Sequence, residues 1–97
     1  MVAKINAVHF DISERLESFI NKKVDKLFRR FDFIAETEVT LKVVKPESAC
    51  NKEAQIKLHV PSTPEVFASK TCDTFEEAID LCIEALERQL EKIKEKK

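Results

Sequence analysis

The chain has 97 residues, 36 % of them charged, with 17 lysines and arginines against 18 acids. That length predicts one domain, residues 1–97, without room for separate cofactor and substrate domains, and the near-zero net charge argues against a generally basic polyanion binder. The sequence contains no glycine, which excludes Gly-rich phosphate loops, nucleophile elbows and dinucleotide fingerprints, since each needs a positive φ or a close backbone approach.

Val2 to Val8 is short and rich in β-branched and small apolar residues, and predicts a first strand. It carries no signal-peptide run, and no later segment reaches the ~18 apolar residues of a membrane span. Ser13 is suited to cap a helix. Leu16, Phe19, Ile20, Val24, Leu27, Phe28 and Phe31 then recur at spacings of three and four, so an amphipathic helix is expected over about Ser13–Phe31. Glu36 to Lys45 alternates with period two, placing Val39, Leu41 and Val43 on one face and Glu38, Thr40 and Lys42 on the other. Pro46 to Lys52 reads as a loop. Glu53 to Val60 alternates again, with Ala54, Ile56, Leu58 and Val60 inward. Pro61-Ser62-Thr63-Pro64 forms a turn, and Glu65 to Thr71 a fourth strand with Val66 and Ala68 inward. Asp73-Thr74-Phe75-Glu76 has the pattern of a capping box with Asp73 as the cap. It opens a long helix whose stripe is Phe75, Ile79, Cys82, Leu86, Leu90 and Ile93. The order β-α-β-β-β-α predicts an α+β fold. A right-handed crossover joins two parallel strands, a meander follows, and both helices cover the one apolar face of a four-stranded sheet.

Charge is distributed less evenly than its total. The first helix carries six bases (Arg15, Lys22, Lys23, Lys26, Arg29, Arg30) against three acids. The second begins with six acids and no base between Asp73 and Glu87, and from Arg88 to Lys97 has five bases and two acids. In the second helix this arrangement also complements the macrodipole. In the first, Lys22, Lys26 and Arg30 repeat like charge at i,i+4, a repulsion that a polyanion would relieve. If the helices lie side by side, the two basic segments could form one outer stripe.

Catalytic chemistry finds little support. Nothing in the sequence places a nucleophile beside His9 or His59, the carboxylates fall on exposed faces, and no metal or cofactor is expected. Cys50, Cys72 and Cys82 contain no C-x-x-C pair, and Cys82 belongs to a core stripe; reduced thiols are expected. The absence of Tyr and Trp weakens single-strand base stacking, leaving Phe67, which alternates outward on the last strand, as the one stacking candidate. Recognition of folded RNA by shape and phosphate fits better.

The chain resembles the short ribosome hibernation promoting factors and the related ribosome-associated inhibitor A. The likeness runs through Ile5 and Asp11-Ile12-Ser13, Lys23-Val24-Asp25-Lys26-Leu27, and Phe31-Asp32. It is densest in Asp73-Thr74-Phe75-Glu76-Glu77-Ala78-Ile79-Asp80 and Leu86-Glu87-Arg88-Gln89-Leu90-Glu91-Lys92. The resemblance implies a bacterial, cytoplasmic, non-enzymatic stress-response factor that binds rRNA in the decoding region of the small ribosomal subunit. There it would compete with mRNA and tRNA and inhibit translation in non-growing cells. Its RNA-facing positions would be Lys23, Lys26, Arg88 and Lys92, with Lys22, Arg29 and Arg30 as neighbours. No membrane or small-molecule partner is implied, and the protein would be monomeric off the ribosome. Departures from the family pattern are Ala85 where a base is common, Phe75 for a tyrosine, and Lys70 for a small inner-face residue. Within the family, residues 1–97 correspond to the short form, for which neither the dimerising domain of long forms nor the inhibitor's extended tail is expected. Two other readings stay open from the residues themselves: a generic structured-RNA module, and a non-RNA domain that forms homo-oligomers through an exposed sheet edge.

Overall fold

The structure, a computed structural model, describes residues 4–8, 11–44, 51–61 and 65–95. Its elements are β1 (Lys4–Val8), α1 (Glu14–Arg30), β2 (Glu36–Val43), β3 (Lys52–His59), β4 (Val66–Cys72) and α2 (Phe75–Glu95). The α+β order β-α-β-β-β-α is the expected one, with ends shifted by one or two residues. Val2, Ala3, His9, Cys50, most of the Pro46–Lys52 loop and Ser62 to Pro64 lie outside the described residues.

The sheet order is β1-β2-β3-β4, with β1 parallel to β2 and the other two pairs antiparallel. Register follows the alternating pattern. Ile5 stands beside Val39, Val39 beside Ile56, and Ile56 beside Ala68, so one face of the sheet is a continuous apolar surface. A one-residue slip of any strand would turn its whole apolar set into water, which is why the register is tightly specified. The opposite face carries Lys4, Glu38, Thr40, Lys42, Gln55, Lys57 and His59 and is open to solvent.

Both helices pack on the apolar face. Leu16, Ile20, Val24 and Leu27 from α1, and Ala78, Ile79, Cys82, Leu86 and Leu90 from α2, join the strand residues in one buried cluster. Each fully buried Leu, Ile or Phe contributes about 1.5–3 kcal/mol, so this cluster dominates stability. The helix ends form without glycine. Ser13 Oγ accepts the Leu16 N–H at 3.1 Å, the N-cap expected from sequence. At the other end Phe31 leaves the helix at φ −128° and ψ 83°, its N–H still bonded to Leu27 O and its ring buried edge-to-face against Phe33. The cap of α2 differs from expectation. Thr74, not Asp73, accepts the Glu77 N–H at 3.2 Å, and Thr74 O receives the Ala78 N–H. Asp73-x-x-Glu76 fits the capping-box spacing, but the helix begins at Phe75, so Thr74 is the residue that stands in the cap position.

β4 is an edge strand, and α2 covers part of it: Gln89 Nε2 donates to Phe67 O at 3.1 Å. Lys70, on the inward register of β4, is exposed at its end, as a snorkelling side chain would be.

Two buried groups in this core give testable consequences. Among the described residues, Thr37 is the one buried polar residue of the core, and its Oγ1 has no hydrogen-bond partner there. An unmet buried hydroxyl costs about 1–3 kcal/mol. Thr37→Val keeps the β-branched shape, and chemical denaturation should show it about 1 kcal/mol more stable than the parent. Cys82 is fully buried, with Sγ 3.3 Å from Ala54 O, and burial pushes its thiol up to about 11 from an ordinary value near 9. Between those values the unfolded chain has released this proton and the folded chain has not. Stability therefore falls as pH rises through this window, and Cys82→Ala should flatten that slope in urea titrations taken across it.

Candidate nucleic-acid interface

Sequence spacing sets how the two helices meet. Lys23 and Arg30 are seven residues apart on α1, as are Asp80 and Glu87 on α2, and seven residues are close to two helical turns. The structure aligns them. Lys23 Nζ lies 2.9 Å from Asp80 Oδ1, and Arg30 Nη1 lies 2.5 Å from Glu87 Oε2. The other arm of the Arg30 guanidinium binds Glu91. Both helices therefore run in the same direction, matched turn for turn. Aromatic rings beneath hold the cations: Lys23 sits 5.4 Å from the centre of the Phe19 ring and Arg30 5.3 Å from that of Phe31. All these charged groups are at least partly exposed, and such pairs contribute only ~0–1 kcal/mol each.

The seven positions singled out from the sequence fall into three groups. Lys23 and Arg30 face α2 and are paired. With Lys26, Leu27, Ile83 and Glu87 they line a shallow groove between the helices. Lys22, Lys26 and Arg29 are exposed on the solvent side of α1, and among the described residues none forms an ion pair. Arg15, exposed and seven residues before Lys22, extends this row by two turns; the spacing Arg15, Lys22, Arg29 marks it in the sequence. Arg88 and Lys92, also exposed, occupy the far flank of α2. Each residue turns a helix by roughly 100°. Going from Glu87, which meets α1, to Gln89, which reaches β4, the helix passes Arg88 on the way, so Arg88 points away from α1.

The two basic segments thus share the solvent side of the helix layer but do not merge into one stripe. Glu84, Glu87 and Glu91 stand between them. Ala85, where a further base would have stood, is half-buried on the Arg88 side of α2.

His59 is exposed on the outer sheet face, and among the described residues no group of three His, Cys, Asp or Glu side chains could hold a metal. Cys72 and Cys82 are free and buried. Phe67 is 49 % exposed on the outer side of β4, next to Lys57 and away from both basic rows. The outer face also carries Lys57 paired with Glu65 at 3.4 Å, and its charges alternate in sign. Among the described residues no helix is long and apolar enough to cross a membrane.

The family model for sigma 54 modulation protein / S30EA ribosomal protein matches residues 3–97. The chain belongs to this family. A ribosome hibernation promoting factor of Azotobacter vinelandii is 33 % identical over 96 residues, 99 % of this chain and 85 % of that protein. One of the same name from Pseudomonas putida is 29 % identical over 96 residues, 99 % of this chain and 89 % of its own length. In fold, the chain is similar to a ribosomal subunit interface protein of Coxiella burnetii, with TM-score 0.81, 23 % identity, and 97 % and 98 % of the two chains covered. It is also similar to the N-terminal domain of Protein Y from Thermus thermophilus, with TM-score 0.78, 19 % identity, and 95 % and 97 % covered. At such identities the two structures support the fold alone, and they share this α+β arrangement.

Proposed function

We propose that this protein is a ribosome hibernation factor: it binds rRNA in the decoding region of the small subunit, excludes mRNA and tRNA, and inhibits translation in non-growing cells. The observation that carries this reading is the exposed, unpaired row Lys22, Lys26 and Arg29 on α1, with Arg88 and Lys92 beyond the acids on α2. Relatives named ribosome hibernation promoting factor support it over nearly the whole chain.

The mechanism is occupancy, not catalysis. Cations on a rigid helix layer replace the counterions of closely spaced phosphates, and counterion release supplies the affinity. Because α1 and α2 are fixed to one sheet, the two rows keep their separation, so an RNA fold that presents phosphates at that spacing gains over an arbitrary one. Lys23 and Arg30 contribute once a phosphate displaces their carboxylate partners. The body of the domain behind the helices then blocks the path of mRNA and tRNA. The whole chain acts as one unit, in the cytoplasm, without cofactor or metal.

Co-sedimentation with purified small subunits tests this. The parent chain should pellet with them, and its binding should weaken steeply with salt. Lys26→Glu and Arg88→Glu should each release it, while Lys42→Glu, on the outer sheet face, should bind as the parent does. Equal affinity for arbitrary duplex RNA would point instead to a generic RNA module. No binding to either RNA at low salt would contradict both.

A further inference from the structure

The acids facing α1 need an explanation that stability does not provide. Asp80, Glu87 and Glu91 take up two of the cations best placed for RNA, at 2.9 Å for Lys23 and 2.5 Å for Arg30, yet partly exposed pairs add little to folding. Arg30 is held from two sides, with both arms of its guanidinium occupied by carboxylates as they would be by the oxygens of a phosphate. Its side chain remains 53 % exposed, so an incoming phosphate can reach it.

We infer that this acidic row of α2 is an internal phosphate mimic that withholds Lys23 and Arg30 from arbitrary RNA and so sets the selectivity of the helix layer. The inference rests on the RNA-binding reading above and deepens it. An RNA that meets only part of the surface gains too few phosphate contacts to displace the carboxylates. It also brings its phosphates against Glu87 and Glu91, a like-charge encounter that disfavours wrong partners. A site that also engages the free row of α1 and the far flank of α2 gains enough elsewhere to open the Lys23 and Arg30 pairs. Selectivity then comes from the cost placed on poor ligands, and the near-zero net charge of the chain has a purpose on the binding face itself.

The test compares two triple variants with the same change in net charge. Asp80→Asn/Glu87→Gln/Glu91→Gln removes the mimic. Glu36→Gln/Glu38→Gln/Glu53→Gln neutralises three acids of strands β2 and β3 that face the outer side of the sheet. Binding to a 20-base-pair duplex RNA of arbitrary sequence is measured against salt, with thermal unfolding as a check that both variants are folded. Freeing two cations should steepen the slope of log K against log salt by about two and raise duplex affinity roughly tenfold or more near 100 mM salt in the first variant only. The preference for small subunits over duplex should shrink accordingly. Equal changes in both variants would mean net charge alone acts, and no change in either would mean the carboxylates withhold nothing; each overturns the inference. If the first variant cannot fold, the single change Glu91→Gln, which leaves Glu87 on Arg30, should give part of the same steepening, and its absence counts against the inference. Failure of the parent chain to pellet with small subunits is a separate result that contradicts the functional reading, not this one.

Discussion

One face of the sheet is apolar and the other is charged, and two helices have to share the apolar one. Most of the remaining structure follows from that constraint. A helix joining the parallel strands β1 and β2 lies over that side of the sheet, and a helix that follows β4 lies over the other, so α1 and α2 meet along the middle. Both rise in the same direction, as the in-step pairs Lys23–Asp80 and Arg30–Glu87 require. Their C-terminal ends therefore lie toward the same end of the layer, and Arg29, Arg30, Lys92 and Lys94 there offset two aligned dipoles. Arg29 and Lys92 are also among the candidate RNA contacts, so a stabilising feature and a candidate binding feature coincide.

The interactions that hold the layer and those that give it its surface differ greatly in strength. The buried cluster of Leu, Ile, Val and Phe supplies the folding energy, and any one fully buried leucine outweighs all that an exposed ion pair contributes. The ion pairs between helices are free, in energetic terms, to serve recognition. Rigidity comes from elsewhere too. With no glycine in the chain, helix ends are closed by Ser13, Thr74 and the buried ring of Phe31, and part of the β4 edge is closed by Gln89. A layer held this way can keep a fixed distance between cations on different helices.

The fold was legible because period-two and period-3.6 patterns are separately clear in this sequence. Val39, Leu41, Ile56 and Leu58 alternate, while Ile20, Val24 and Leu27 recur by threes and fours, and all prove buried. The cap of α2 was not legible, since Asp73 and Thr74 are both good caps and only the path of the chain leaving β4 decides between them. For the interface, the clustering of bases along the sequence singled out the cations of each helix as a group. It did not show that Lys23 and Arg30 would be met by Asp80, Glu87 and Glu91, because that depends on the relative height of two helices distant in sequence. The matched seven-residue spacing was visible, but its register is a tertiary fact. Nor could the sequence show that Arg88 turns away from α1, since that needs the rotation of α2 about its own axis.

In the proposed mode of binding the helix layer, not the sheet, is the face that meets the ribosome. Lysine acetylation with a water-soluble reagent, read residue by residue by mass spectrometry on the free protein and on its complex with small subunits, tests it directly. Lys22, Lys26 and Lys92 should be protected in the complex while Lys42 and Lys57 on the outer sheet face stay reactive. Protection of Lys42 and Lys57 with the helix lysines unchanged would mean that the sheet face docks instead.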